Sequence, residues 1–340
     1  MVNIFENYNL SSYNTFGVDS NAKFFTTINN YKCFCQLIKE TSYKNAPKLV
    51  LGGGSNLIFS SKIYNGFVIS NKVRGINVLS ETKNEIILKV GGGENWHGLV
   101  CYTLENGWRG LENLSLIPGS VGAAPIQNIG AYGIELKDVF ESLEAWDLQT
   151  GEIRIFTKEE CQFGYRNSIF KQQLRGQYFI ASVIFKLNQT KALNTNYGAI
   201  EAELNAQKIT QARAKDVSKT IIKIRESKLP NPSKIGNVGS FFKNPIINEK
   251  QFLALKEKFA DLKFYELANK EYKIPAAWLI EQCGLKGIQL GNVGVSENHA
   301  LILINCGKAK GEEVVTLAKK IQNDVFNKFA ISLEAEANIV

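Results

Sequence analysis

Residues 111–133 read LENLSLIPGSVGAAPIQNIGAYG, and this stretch decides how the rest of the chain is understood. Glycines and alanines crowd around Pro118 and Pro125, interleaved with the polar set Ser115, Ser120, Gln127 and Asn128. Long irregular loops in compact domains are usually functional. One so rich in small residues lets a flat ring or a pyrophosphate approach the backbone closely. The competing reading is a structural Ω-loop.

Working outward, two strand patterns end in glycine triplets: KLVLGGG (48–54) and EIILKVGGG (85–93). Bare backbone N–H groups at such a strand end can cradle a phosphate, although a tight turn is the commoner use. A dinucleotide fingerprint would need G-x-G-x-x-G opening a helix. The sixth positions here are Leu57 and Trp96, and SNLIF after the first triplet reads as extended, so a doubly wound sheet is disfavoured. Helical patterns are expected at 31–42, 94–106, 210–227, 248–258, 274–283 and 309–329. Strands are expected at 66–70, 177–187, 300–304 and 331–339, with a hairpin over 139–157 turning at Thr150–Gly151. Thr157 and Glu160 form a capping-box pattern that predicts a short helix. The Pro/Gly/Asn-rich connector KLPNPSKIGNVG marks a domain boundary near residue 228. The fold class expected is α+β.

At 340 residues, the chain is long enough for two or three domains with a substantial core. Hydrophobic content of 44% and charged content of 21% exclude a disordered chain. The opening MVNIFENYNL lacks the pattern of a signal peptide, and ALILI (300–304) is too short to span a bilayer, so a cytoplasmic protein is expected. Six cysteines without paired C-x-x-C spacing point to buried free thiols, with neither a metal site nor a disulfide framework. The formal net charge is +8, but the densest basic stretch, 212–228, reads as an amphipathic helix with a solvated face. The charge excess suits anionic small molecules better than nucleic acid.

Four sites could carry chemistry. Ser240, in GNVGSFFKNP (236–245), lacks a base: the only histidines, His97 and His299, are distant in sequence. A nucleophilic serine normally needs one. Arg166 sits among aromatic residues in FGYRNSIFK, where a guanidinium is costly to bury without an anion or an internal ion pair. Lys228 lies at the domain connector, beside an expected cleft; the competing reading is a solvated surface lysine. Glu334 and Glu336 share one face of the terminal extended segment, as a polar outer face or a functional pair.

Taken together, YNTFGVDSNAKFF, LGGGSNLIF, GGGENWH, the 111–133 loop, FGYRNSIFK, KLPNP, GNVGSFFKNP, AAWLIEQCGLKG and LEAE resemble one family. It is the flavoprotein UDP-N-acetylenolpyruvoylglucosamine reductases of bacterial cell-wall synthesis. The resemblance spans nearly the whole chain in family order and is weakest over 245–272. TNYGAI resembles the tyrosine loop of the family's longer subclass.

The resemblance implies a two-lobed FAD-binding region of the vanillyl-alcohol-oxidase-like type plus a separate α+β substrate-binding domain. Lobe 1 would be 1–72, joined by the C-terminal strand at about 330–340; lobe 2 would be 73–227, and the substrate domain 228–329. Non-covalent FAD would lie against Gly52, Gly53, Gly54, Ser55 and Asn56, and against Pro118, Gly119, Ser120, Gly122, Ala123, Asn128, Gly130 and Ala131. Tyr132, Tyr165, Tyr197, Lys228, Asn244 and Gln289 match substrate-binding positions. The implied reaction has NADPH reduce FAD, whose N5 passes hydride to the enolpyruvyl ether of UDP-N-acetylglucosamine enolpyruvate. Arg166 and Glu336 would stabilise the enolate, with Glu336 protonated or sharing a proton. Ser240 would then protonate carbon, and backbone amides or Lys243 could steady its alkoxide. A monomer is expected. One departure stands out: Asn338 replaces the basic residue usual two places after the glutamate. The alternatives are a flavin oxidase of the same fold acting on a hydroxy acid or sugar, and an inactive nucleotide-sugar-binding regulator.

Overall fold

The computed structural model describes residues 2–340. Two compact units emerge. One holds the residues up to Tyr8 with 22–54 and 65–227; the other holds 9–21, 55–64 and 228–340. The chain therefore changes unit at Ser227–Lys228, within the connector region, and two earlier segments group with the C-terminal part.

The first unit is built on a five-stranded antiparallel sheet in the order Ile153–Thr157, Phe140–Asp147, Tyr178–Asn188, Glu85–Gly91, Ile76–Glu81. Tyr178–Asn188 runs through its centre and is buried along most of its length, which explains its nearly unbroken apolar sequence. The edge strand Ile76–Glu81 is mostly exposed. The hairpin predicted at Thr150–Gly151 forms: Asp147 Oδ1 accepts from the Gln149 and Thr150 amides at 2.7 and 2.8 Å. A second sheet, in the order Phe5–Asn9, Asn21–Ile28, Ile63–Asn71, Lys48–Leu51, contains a parallel pair, Lys48–Leu51 against Phe67–Ser70. The helix Tyr31–Leu37 packs on the five-stranded sheet through Phe34, which lies 5.2 Å from Trp146, itself stacked on Phe179 at 5.2 Å; Ile28, Phe67 and Ile69 of the second sheet share this core.

The second unit carries a four-stranded sheet ordered Asn237–Ser240, Ile302–Asn305, Val293–Val295, Gln289–Leu290. The helix Gly311–Phe329 buries Val314, Leu317, Ala318, Ile321 and Val325, the i, i+3/i+4 stripe that its sequence shows. Its Phe329 meets Phe259 and Trp278 at 5.0 and 5.6 Å. Among the described residues, no helix is long and apolar enough to cross a membrane, and no cluster of three or more His, Cys, Asp or Glu could hold a metal ion.

Four local expectations need correction. Residues 111–133 are not structureless: short 3-10 turns cover Glu112–Leu114 and Val121–Gln127, and Gly130–Ala131 pairs with Ile134–Glu135. The capping box forms between Thr157 and Glu160, yet turns follow instead of a helix; Gln162 adopts a left-handed φ of 47° and Gly164 lies two residues on. The cysteines are free, but only Cys161 is buried, whereas Cys101 and Cys306 are exposed. Finally, 331–339 is not one strand. It bridges to Phe242 at Ala335, then changes partner so that Asn338–Ile339 pairs in parallel with Leu57–Ile58.

Candidate functional site

In the first unit, the site is built around the 118–135 segment. A Cβ added at Gly53 would lie 2.9 Å from the Gly119 Cα, and one at Gly52 would collide with the Ser120 hydroxyl. The first triplet thus faces that loop at backbone distance, which only glycine permits. Ser120 is 7% exposed, and its hydroxyl has no hydrogen-bond partner in the protein. An orphaned hydroxyl beside bare glycine backbone fits a ligand with acceptor oxygens, such as a dinucleotide pyrophosphate. The loop is held from behind: Gly122 N donates to Gly92 O at 2.8 Å, Val121 N to Glu94 O at 2.9 Å, and Trp96 N to Gly119 O at 3.1 Å.

Asn128, expected as a cofactor contact, is tied into the protein through its side chain. It is fully buried with a left-handed φ of 45°. Its Nδ2 donates to Glu135 Oε2 at 3.0 Å and to Gly164 O at 3.1 Å, while Oδ1 accepts from Lys137 N at 3.0 Å. Both amide hydrogens are engaged inside the protein, so Asn128 holds the loop's shape. Downstream, Tyr132 and Gly133 have φ of 50° and 80°, the pair of positive values that a two-residue hairpin turn demands. That turn presents the Tyr132 ring, whose edge-on partner is the exposed Tyr197 ring at 5.4 Å. Tyr197 itself opens the helix Gly198–Ala206.

Arg166 is delivered by a turn in which it takes a left-handed φ of 52°, a sparsely populated conformation for a non-glycine residue. Its Nη2 donates to Gly130 O at 2.6 Å, and its guanidinium lies 5.8 Å from the Tyr165 ring. Sequence reading missed Arg225, on the helix Ala214–Lys228. Its Nε is buried without a partner, and a side-chain hydrogen bond links it to Tyr132. Burial lowers its pKa, the Tyr132 hydroxyl opposes that, and the neighbouring Arg166 charge adds to the lowering. Burial raises the Tyr132 pKa, and Arg225 pulls it back. Arg225 lies three residues before Lys228, but its apolar neighbours Ile221, Ile222 and Ile224 made the segment look like an ordinary amphipathic helix.

In the second unit, Ser240 ends a strand with a bulge. Asn237 pairs with Ile304 and Ser240 with Ile302, one residue more on the serine side. Gly239, at φ 72°, supplies the left-handed residue, and Asn237 Oδ1 accepts from its amide at 3.0 Å. Bulges of this kind re-aim a side chain. Immediately beyond, Glu336 N donates to Phe241 O at 2.8 Å and Lys243 N to Glu334 O at 2.9 Å. Two of the residues singled out from sequence, Ser240 and Glu336, are thereby carried on paired backbone segments. Lys243 forms an ion pair with Glu334.

Neither histidine serves the serine as a base. His97 Nδ1 accepts from Leu116 N at 3.0 Å, and His299 Nδ1 accepts from Leu301 N at 3.2 Å. Burial lowers both imidazole pKa values, helped by Arg225 at His97 and by Lys228 at His299. The exposed Lys228 is thus near His299, a neighbour that sequence did not suggest. Asn244 Oδ1 accepts from Ala276 N at 2.9 Å, at the start of the helix Ala276–Gln282. Gln289 is exposed, and its Nε2 donates to Gly291 O at 2.9 Å within a turn.

The first unit has the architecture of a FAD-binding region, and residues 25–157 match the family model described as an FAD binding domain. The protein is an FAD-dependent oxidoreductase of mixed α and β structure. Residues 231–340 match the model described as UDP-N-acetylenolpyruvoylglucosamine reductase, C-terminal domain. Relatives bearing that name occur in Flavobacterium johnsoniae, 45% identical, and in Amoebophilus asiaticus, 48% identical; each alignment covers 98% of both chains. The chain belongs to the UDP-N-acetylenolpyruvoylglucosamine reductase family. A solved reductase of this name from Thermus caldophilus shares the fold, with a TM-score of 0.67 and 23% identity over 100% of this chain and 98% of that one.

Proposed function

We propose that this protein reduces the enolpyruvyl ether of UDP-N-acetylglucosamine enolpyruvate to the lactyl ether of UDP-N-acetylmuramate, a precursor of peptidoglycan, as a cytoplasmic monomer. The observation that carries the reading is the backbone pairing of Phe241 with Glu336, which couples the bulged Ser240 strand to a glutamate within one unit. FAD, reduced by NADPH, would supply the hydride when bound. Gly52–Asn56 and the loop around Ser120 would hold its pyrophosphate, with the Ser120 hydroxyl as a donor.

The chain's own residues then have separate tasks. Arg166 would meet the carboxylate of the enolpyruvyl group, where negative charge grows as the enol ether becomes an enolate. Glu336, in its acid form, would share that charge by hydrogen bonding. Ser240 would give its hydroxyl proton to the carbanionic carbon. A carbon base that strong needs no histidine to deprotonate the serine first. Backbone amides near the Gly239 bulge, or Lys243 beside its Glu334 partner, would steady the alkoxide. Tyr132, Tyr165, Tyr197, Lys228, Asn244 and Gln289 would bind the uridine diphosphate and sugar, with Tyr197 closing over them.

The test is spectroscopic. Under anaerobic conditions, NADPH should bleach the bound flavin, and UDP-N-acetylglucosamine enolpyruvate should restore its colour. Oxygen alone restoring it at comparable speed, with no response to the enolpyruvyl compound, would overturn the assignment in favour of an oxidase.

A further inference from the structure

Asn338 stands two residues after Glu336, where the family resemblance leads one to expect a basic side chain. In the structure its amide is occupied. Both its main-chain N and its Nδ2 donate to the Asn56 carbonyl, at 3.0 and 3.2 Å. Asn56 answers from its own side chain: Nδ2 donates to the Glu336 carbonyl at 3.1 Å. The other end of the Glu336 residue is also held, because its N donates to Phe241 O at 2.8 Å. The segment that follows is anchored by Val340 N to Ile58 O at 2.9 Å and by Ser60 N to Val340 O at 2.7 Å.

Glu336 is thus gripped at both its N–H and its C=O, and one of those grips depends on where Asn56 sits. We infer that Asn338 and Asn56 form a reciprocal amide clasp that fixes Glu336 beside the Ser240 strand, making Asn338 a positioning residue; this rests on the function proposed above. A carboxyl that must meet a developing charge loses effect steeply with misplacement, so a bond to its backbone neighbour has a catalytic consequence. Asn338 Nδ2 reaches the carbonyl of the residue before its ladder partner Leu57.

The test uses Asn338→Asp, which keeps size and shape but sets a carboxylate against the Asn56 carbonyl, and Asn338→Gln, which keeps the donor. Single-turnover reoxidation of reduced flavin by the enolpyruvyl substrate should slow by about tenfold in Asn338→Asp, the scale of one buried hydrogen bond turned repulsive. The pH profile of that step should shift, reduction by NADPH should stay at the wild-type rate, and Asn338→Gln should recover part of the loss. The Glu336 amide, read by hydrogen exchange, should exchange faster in Asn338→Asp. A variant with a lower melting temperature but wild-type reoxidation rate and pH profile would make the clasp merely structural and end the inference. If the wild-type flavin does not respond to the enolpyruvyl substrate, the functional reading fails on its own. The clasp is then judged by exchange alone: unchanged protection of the Glu336 amide refutes it.

Discussion

The two glycine triplets, Gly52–Gly54 and Gly91–Gly93, end strands in nearly the same sequence, yet they serve opposite purposes. All three glycines of the second are buried, and each lies against main chain: Gly91 on Val73 and Arg74, Gly92 on Ile180, Gly93 on Asn71 and Lys72. It is a packing joint, and its Gly92 carbonyl supports the loop through Gly122. Gly52 and Gly53 of the first triplet remain partly open and face the other side of that loop, at Gly119 and Ser120. The same three residues make a scaffold when another backbone covers them and a cradle when a loop leaves them accessible. What decides is the partner, which lies far away in sequence.

Substitutions should separate the two roles. The largest effect is expected from Gly92→Ala, whose Cβ would meet the Ile180 carbonyl and lie 2.7 Å from Asn71 Nδ2. Overpacking against backbone that cannot move should cost about 3 kcal/mol or more, read by chemical denaturation of the flavin-free protein. Gly53→Ala should destabilise the fold less than that, because its close contact is with the Gly119 loop alone, but should weaken FAD by at least tenfold, because the loop must retreat from a cradle built at contact distance. Equal destabilisation by both variants would erase the distinction. Ser120→Ala is a finer probe: it removes a buried hydroxyl that lacks a partner, so the flavin-free protein should be unchanged or slightly stabilised. FAD affinity should nevertheless fall by about fivefold, the scale of one hydrogen bond.

The smallest effect concerns His97, which follows the second triplet and holds Leu116 N of the loop through Nδ1. Burial lowers its pKa below the ordinary 6.5, so the folded protein favours the neutral ring while the unfolded chain takes up the proton more readily. Its stabilisation is therefore present above pH 6.5 and lost as pH falls below that value. His97→Asn, which keeps an acceptor without titrating, should flatten this part of the melting-temperature profile. A profile identical to wild type would assign the acid sensitivity to other groups, His299 among them.

Much of this was legible in sequence where the signal is local. The hairpin at Thr150–Gly151 and the helices near 94–106 and 309–329 follow from turn chemistry and period, and the structure has them at Trp96–Glu105 and Gly311–Phe329. Legibility stopped where a residue's meaning depends on a distant partner. The capping box of Thr157 and Glu160 formed, but left-handed Gln162 ended the turn before a helix could grow. Asn128 looked like a ligand contact because its polar neighbours did; its partners, Gly164 among them, are supplied by tertiary structure. Arg225 was hidden by its own helix's apolar stripe and became visible only beside Tyr132. The ion pair of Lys243 with Glu334 joins residues 91 positions apart, a partner that no local pattern shows.

The central claim is that Ser240 is a proton donor to carbon, set by its bulge and by the Glu336 strand. Stopped-flow traces of Ser240→Ala test it most directly, with each half-reaction followed separately through the flavin absorbance. Reduction by NADPH should proceed as in wild type, while reoxidation by UDP-N-acetylglucosamine enolpyruvate should slow by about 10²–10⁴-fold, the range of a lost general acid. Reoxidation at the wild-type rate would contradict the account.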